Sequence, residues 1–251
     1  MVAGHKIDAL GQFELHPVFG ALGESIKFTQ SELMMVVAAV IVPVAIYFGM
    51  RHKAIVPGRY QAATEMCYEF VHGMAIGTMG TKGKGFFPFI FTLFFFILTG
   101  NYLGLLPFSF AFTSHIVVTA TLALMVFFLA IIVSLKNQGL KFFAHFMPAG
   151  APIAMAPLLV PIEILSYLSR PISLSIRLFA NMVAGHVMLE MFAGFTILLA
   201  TGLGLALGGP LGVLPIVLNV ALIALELLVG ALQAYVFAIL TCMYLQEAIE
   251  H

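Results

Sequence analysis

Apolar residues in this chain come in long unbroken runs. Positions 85–135 hold no Asp, Glu, Lys or Arg, and neither do positions 191–225. About 20 apolar residues suffice to cross a bilayer core as a helix, so these runs predict membrane-embedded helices. A first span is predicted over 31–50, its apolar run starting just after Glu32 and stopped by Arg51, His52 and Lys53. A second covers 86–106. A third covers 116–135 and ends at Lys136, Asn137 and Gln138. Segment 57–80 is too polar to span, since it holds Glu65, Glu69 and His72. Its residues Ala62, Met66, Phe70 and Met74 recur at helical spacing, which predicts an amphipathic helix at the interface with that stripe as its apolar face.

After a proline-broken stretch at 142–157 come two long apolar segments, 158–201 and 214–246. The run Gly202, Gly204, Gly208, Gly209, Pro210 and Gly212 is expected to be the turn between them. Wholly helical, the first segment would be about 66 Å long, against a bilayer core of about 30 Å. It must either tilt strongly or break near Pro171, and the sequence leaves both open. The fold expected is an all-α polytopic membrane protein in a single membrane domain, preceded by an outer segment at 1–30. It has about five membrane-embedded helices, an interfacial amphipathic helix and a long tilted C-terminal helical hairpin.

Composition agrees with this reading. Of 251 residues, 62% are hydrophobic and 9% charged, where a soluble domain carries roughly 25% charged residues. Mean hydropathy is +1.09. Eleven basic side chains balance eleven acidic ones, so the chain has no excess of positive charge for binding nucleic acid. No basic segment precedes an apolar one at the start, so no cleavable signal is expected. Cys67 and Cys242 are read as packed free thiols. The histidines lack metal-ligand spacing, no phosphate loop is present, and neither a metal nor a cofactor is expected. Gly100 and Gly104 form a small-xxx-small pair of the kind that packs helices.

Lys and Arg also set orientation. The link from Arg51 to Lys84 holds five of them, and the link between the second and third spans holds none. The positive-inside bias places the basic links on the cytoplasmic side, or its organellar equivalent, with the N-terminus outside.

The C-terminal half is poor in charge, and its few charges are ordered. Charges inside membrane segments cost about 2.5–3.5 kcal/mol each and mark pathways or partners. Glu163, Ser166, Arg170, Ser173 and Asn181 all fall within about 40° of Arg177 on a helical wheel. His186 lies on the opposite side, with Glu190 one turn further on. In the last segment Asn219, Glu226 and Gln233 are spaced by seven, which keeps them on one face. Each has a structural reading as well. The serines can back-bond to their own helix. Arg170 can snorkel to the interface, Glu163 can be interfacial, and Asn219 can bond between helices. Arg177 cannot lose its proton. It can attract a carboxylate and block protons from passing, while His186, Glu190 and Glu226 can carry protons in water-lined cavities.

The run Ser173-Leu-Ser-Ile-Arg177-Leu-Phe-Ala-Asn181-Met-Val-Ala-Gly185-His186 closely resembles the signature of the subunit a family of F-type ATP synthases. Most of the chain shares the resemblance, including His16-Pro17, Asn101-Tyr-Leu-Gly-Leu-Leu-Pro107, Glu163, and Glu226 followed by Gln233. The resemblance implies a non-catalytic stator subunit beside a ring of c subunits, each with a buried carboxylate. Protons would enter by one aqueous half-channel, ride the ring and leave by another. It implies that Arg177 separates the half-channels, that Asn181, His186, Glu226 and Gln233 lie on the outer side, and that Glu163 and Ser166 line the inner exit. Glu190, Ser173 and Asn219 complete the candidate proton path. Implied partners are the c-ring, peripheral-stalk subunit b or b/b′, the remainder of the F1Fo enzyme, membrane lipid and protons. The location implied is the bacterial inner membrane, or alternatively the mitochondrial one. Some family members exchange the acid and the histidine between the positions of His186 and Glu226, and some carry Asp where Gly104 stands. A rival reading is a secondary transporter that binds an anionic substrate at Arg177. It calls for repeated halves, and the N-terminal half holds no counterpart of the Arg177 stripe.

Overall fold

The computed structural model describes residues 29–51, 57–106, 111–139, 155–202 and 204–250. The N-terminal segment, His16-Pro17, Pro107, Lys141, His145 and most of the proline-broken stretch lie outside the described residues. Among the described residues every element is a helix: α1 (Gln30–Met50), α2 (Arg59–Met79), α3 (Phe87–Gly104), α4 (Ile116–Gln138), α5 (Ala156–Gly202) and α6 (Gly204–Glu250). Short 3₁₀ turns occupy Gly80–Phe86 and Phe112–Ser114. Five helical stretches are long and apolar enough to cross a membrane, with α2 and α3 counted as one through their connecting turn. The chain is thus an all-α polytopic membrane protein.

Local chemistry sets the helix ends. Thr29 N–H donates to the Glu32 carboxylate at 2.9 Å, closing the start of α1. α2 and α4 stop at Gly80 and Gly139, with φ of 63° and 59°. Their N–H groups bond back to the carbonyls of Ile76 and Leu135, an ending that a Cβ would disfavour. Pro88 sits in the first turn of α3, where its missing N–H costs nothing.

The core is gathered under the second half of α6. Ala234, Phe237, Ala238, Cys242 and Leu245 of α6 meet Ile90, Leu93, Phe94 and Ile97 of α3. Leu122, Ala123 and Val126 of α4 and Leu174 and Leu178 of α5 close the cluster. α2 contributes Val71, Ala75 and Met79. These residues are offset from the apolar stripe of α2, in which Met66 and Phe70 are 70% and 52% exposed and Met74 packs against the edge of the cluster. In an apolar surrounding large side chains gain nothing by turning inward, and small ones let helices approach. Cys67 is likewise exposed, whereas Cys242 is packed.

Both long helices run 47 residues. α5 continues through Pro161 and Pro171 without a break, which decides against a break at Pro171. At about 1.5 Å per residue each helix measures about 70 Å, more than twice the bilayer core, so neither fits upright within it. The glycine-rich run is not an extended turn. Backbone helix resumes at Gly204 and includes Gly208, Gly209, Pro210 and Gly212. In an apolar solvent a helix satisfies its own N–H and C=O groups, which outweighs the weak helix propensity of glycine.

Candidate functional site

α5 divides the polar residues between two faces. Ser166, Ser173, Arg177 and Asn181 are exposed. Ile172 and Ile176 beside them are 58% and 48% exposed, so the whole strip lies uncovered. Arg177 makes no hydrogen bond or ion pair with a described residue. The reverse face carries Leu174, Ser175, Leu178 and Met182, all buried. Ser175 Oγ lies 3.2 Å from Thr119 Oγ1 of α4, within the packed seam between the two helices.

Beyond this face, α5 turns His186 toward α6. His186 Nε2 stands 3.7 Å from Glu226 Oε1. Glu226 is only 5% exposed, and neither carboxylate oxygen is hydrogen-bonded to a described residue. The separation is longer than a direct hydrogen bond but close enough for an ion pair when the imidazole is protonated. Gly185 makes the approach possible, because a Cβ there would fall 2.5 Å from Glu226 Oε1 and 2.7 Å from its Cδ. Gly104 has a related role: a Cβ would meet Ala111 Cβ at 2.6 Å and His186 Nε2 at 3.6 Å. The Gly100–Gly104 pair thus packs against Phe112, Ala111 and His186, and not as a glycine seam along one neighbouring helix.

Asn101 holds α6 from the other side. It is fully buried, and its Nδ2 donates to the Gly230 carbonyl at 3.0 Å. Gly230 lies one turn beyond Glu226 and one turn before Gln233, which is itself 7% exposed. Glu190 and Asn219 are half-buried, and the side-chain Oδ1 of Asn219 is buried without a hydrogen bond to a described residue.

Glu163 and Arg170 leave the exposed strip and are half-buried. Arg170 turns toward α6. Its Nη1 donates to Glu247 Oε2 near the end of α6, and its guanidinium lies 5.2 and 5.5 Å from the ring centres of Tyr167 and Tyr244. Sequence spacing gave no sign of Glu247, which is 77 positions away. Asn101 had a signal: it is an amide in a charge-free span. Gly185 lay inside the quoted signature, yet its contact with Glu226 arises only where two helices cross.

Known proteins resemble the chain over its whole length. The family model described as ATP synthase A chain matches residues 32–246. The chain is 75% identical over 251 residues to ATP synthase subunit a of Gluconacetobacter diazotrophicus, covering both chains completely. It is 66% identical to that of Gluconobacter oxydans, again over the whole of both. Against that of Bradyrhizobium diazoefficiens it is 50% identical over 97% of this chain and 98% of the other. On these matches, over most or all of its length, the chain belongs to the ATP synthase A chain family.

Proposed function

We propose that the chain is the stator of a proton-driven rotary motor, non-catalytic in itself, in the Fo sector of a bacterial inner-membrane ATP synthase. The observation that carries this reading is the division of α5. Arg177 stands exposed on a membrane helix without a counter-charge among the described residues, a costly arrangement unless a partner supplies one. A ring of c subunits, each with a buried carboxylate, fits that requirement.

In this mechanism protons enter from the outer side and pass by way of His186 and Glu226, where Asn181, Glu190, Asn219 and Gln233 supply further polar stations. A ring carboxylate takes the proton, becomes neutral and moves into lipid. After nearly a full turn it releases the proton to the inner exit lined by Glu163, Ser166 and Ser173. Arg177 stabilises the emptied carboxylate between the two events and, holding a fixed charge, stops protons from short-circuiting the channels. Each charge crossing 100 mV gains about 2.3 kcal/mol, so several crossings must be summed for one ATP, as a ring does. Peripheral-stalk subunit b or b/b′ would anchor the chain to the rest of the F1Fo enzyme.

The test is disulfide cross-linking in the assembled enzyme. Cysteines replacing Ser173, Ile176 or Asn181 should link to c-subunit cysteines, whereas cysteines at Leu174 or Leu178 should not. Equal linking from both faces would refute the assignment of the ring to this side.

A further inference from the structure

A cavity of about 650 Å³ opens between the Gly80–Phe86 turn, the last turn of α4 and the end of α6. Lys82 and Lys136 stand at it, one from the turn and one from α4. Both are exposed, and neither forms an ion pair with a described residue. Asn137 lines the cavity as well, and its Nδ2 donates to the Ala248 carbonyl at 3.2 Å, pinning the end of α4 to the end of α6. The remaining wall is apolar, formed by Phe86, Val133, Ile249 and Ile132. From Ile132 an uncovered stripe runs back along α4 through Phe128 and Met125, which are 61%, 57% and 48% exposed. Two ammonium groups without an ion pair among the described residues therefore sit at the head of an apolar track along a membrane helix.

We infer that this cavity binds the phosphodiester headgroup of an anionic phospholipid. Lys82 and Lys136 hold the phosphate, Asn137 offers its second amide hydrogen, and an acyl chain lies along Ile132, Phe128 and Met125. The chemistry matches the place. Both lysines belong to the basic links that the positive-inside bias puts at the cytoplasmic leaflet, where anionic lipids attract basic groups and basic pockets between helices take their headgroups. An inorganic anion would use the lysines but leave the apolar track empty. A partner protein helix is the other possible occupant, and it would cover the track without needing phosphate.

The chain contains no tryptophan, which makes a clean probe available. Ile132→Trp in the full chain, reconstituted in bilayers, reports contact with brominated lipid by fluorescence quenching. Brominated phosphatidylglycerol should reach half-quenching at about ten-fold lower mole fraction than brominated phosphatidylcholine. Adding Lys82→Gln and Lys136→Gln should abolish the difference, and Lys82→Arg with Lys136→Arg should keep it. Val36→Trp, on the exposed face of α1, should show no preference in the same bilayers. Equal quenching by the two lipids, or a preference that survives the double Gln variant with unchanged helicity, overturns the proposal. Loss of the preference on adding millimolar inorganic phosphate at constant ionic strength would identify a free-anion site instead. A second measurement uses lysine acetylation in the assembled, detergent-stripped enzyme. Reactive Lys82 and Lys136 that become protected on adding phosphatidylglycerol support the site, and protection that persists without lipid assigns it to a protein partner.

Discussion

The Thr119 and Ser175 hydroxyls lie 3.2 Å apart in the buried seam between α4 and α5. Ser175 and Arg177 are two residues apart on a helix, about 200° around it. The packing that turns Ser175 inward therefore turns Arg177 outward. Hydrogen bonds between membrane helices contribute about 0.6 kcal/mol on average. Thr119→Val should thus cost little in thermal stability. Ser175→Phe has no room and should rotate α5, lowering ATP-driven proton pumping much further than Thr119→Val does. Equal pumping by the two variants in vesicle quenching assays would show that close packing at Ser175 does not set the facing of Arg177.

Arg177→Ala removes the fixed charge from an exposed position and leaves the packed face of α5 untouched. The enzyme should assemble with its usual subunit ratio, and ATP-driven pumping should be abolished. Normal coupled pumping by this variant would refute the stator mechanism.

His186 and Glu226 are 3.7 Å apart and should act as one station. His186→Ala and Glu226→Ala should each slow passive and driven proton flow by about ten-fold or more, and more than Ser173→Ala does. Because they share a step, the double variant should be no slower than the slower single. Multiplicative losses would mean that the two side chains work at separate places.

Gly185→Ala inserts a methyl 2.5 Å from Glu226 Oε1. Overpacking of this kind costs about 1–3 kcal/mol, and here it would push the carboxylate away from His186. Proton flow should fall, and the shorter side chain of Glu226→Asp should restore part of it in the double variant. Unimpaired flow in Gly185→Ala would show that the close crossing is not needed.

Arg170 and Glu247 should be tested as a pair. Both are part-exposed, and the arginine also stacks on Tyr167 and Tyr244. Removing one charge leaves the other uncompensated, so Glu247→Gln should lower the melting temperature of the purified chain more than Arg170→Met with Glu247→Leu does. The reverse order would mean that stacking, and not charge pairing, holds this junction.

The sequence by itself determined the class of fold and the cost of each interior charge. Charge-free runs of 35 residues and more have one inexpensive conformation in lipid, the helix, so their number and rough extent could be read directly. The helical period alone placed Ser166, Ser173 and Asn181 with Arg177 and turned His186 away from them, because α5 stays continuous past Pro171. Only the tertiary structure decided which faces are covered. Periodicity gives an angle around one axis and says nothing about a neighbour. The face of α2 that packs on the core is therefore Val71, Ala75 and Met79, while Met66 and Phe70 of its apolar stripe stay uncovered by protein. The same limit hid the pairing of Arg170 with Glu247, the bond from Asn101 to Gly230, and the gap at Gly185 that admits Glu226. Each is a contact between helices far apart in the chain, fixed by where two surfaces can approach most closely.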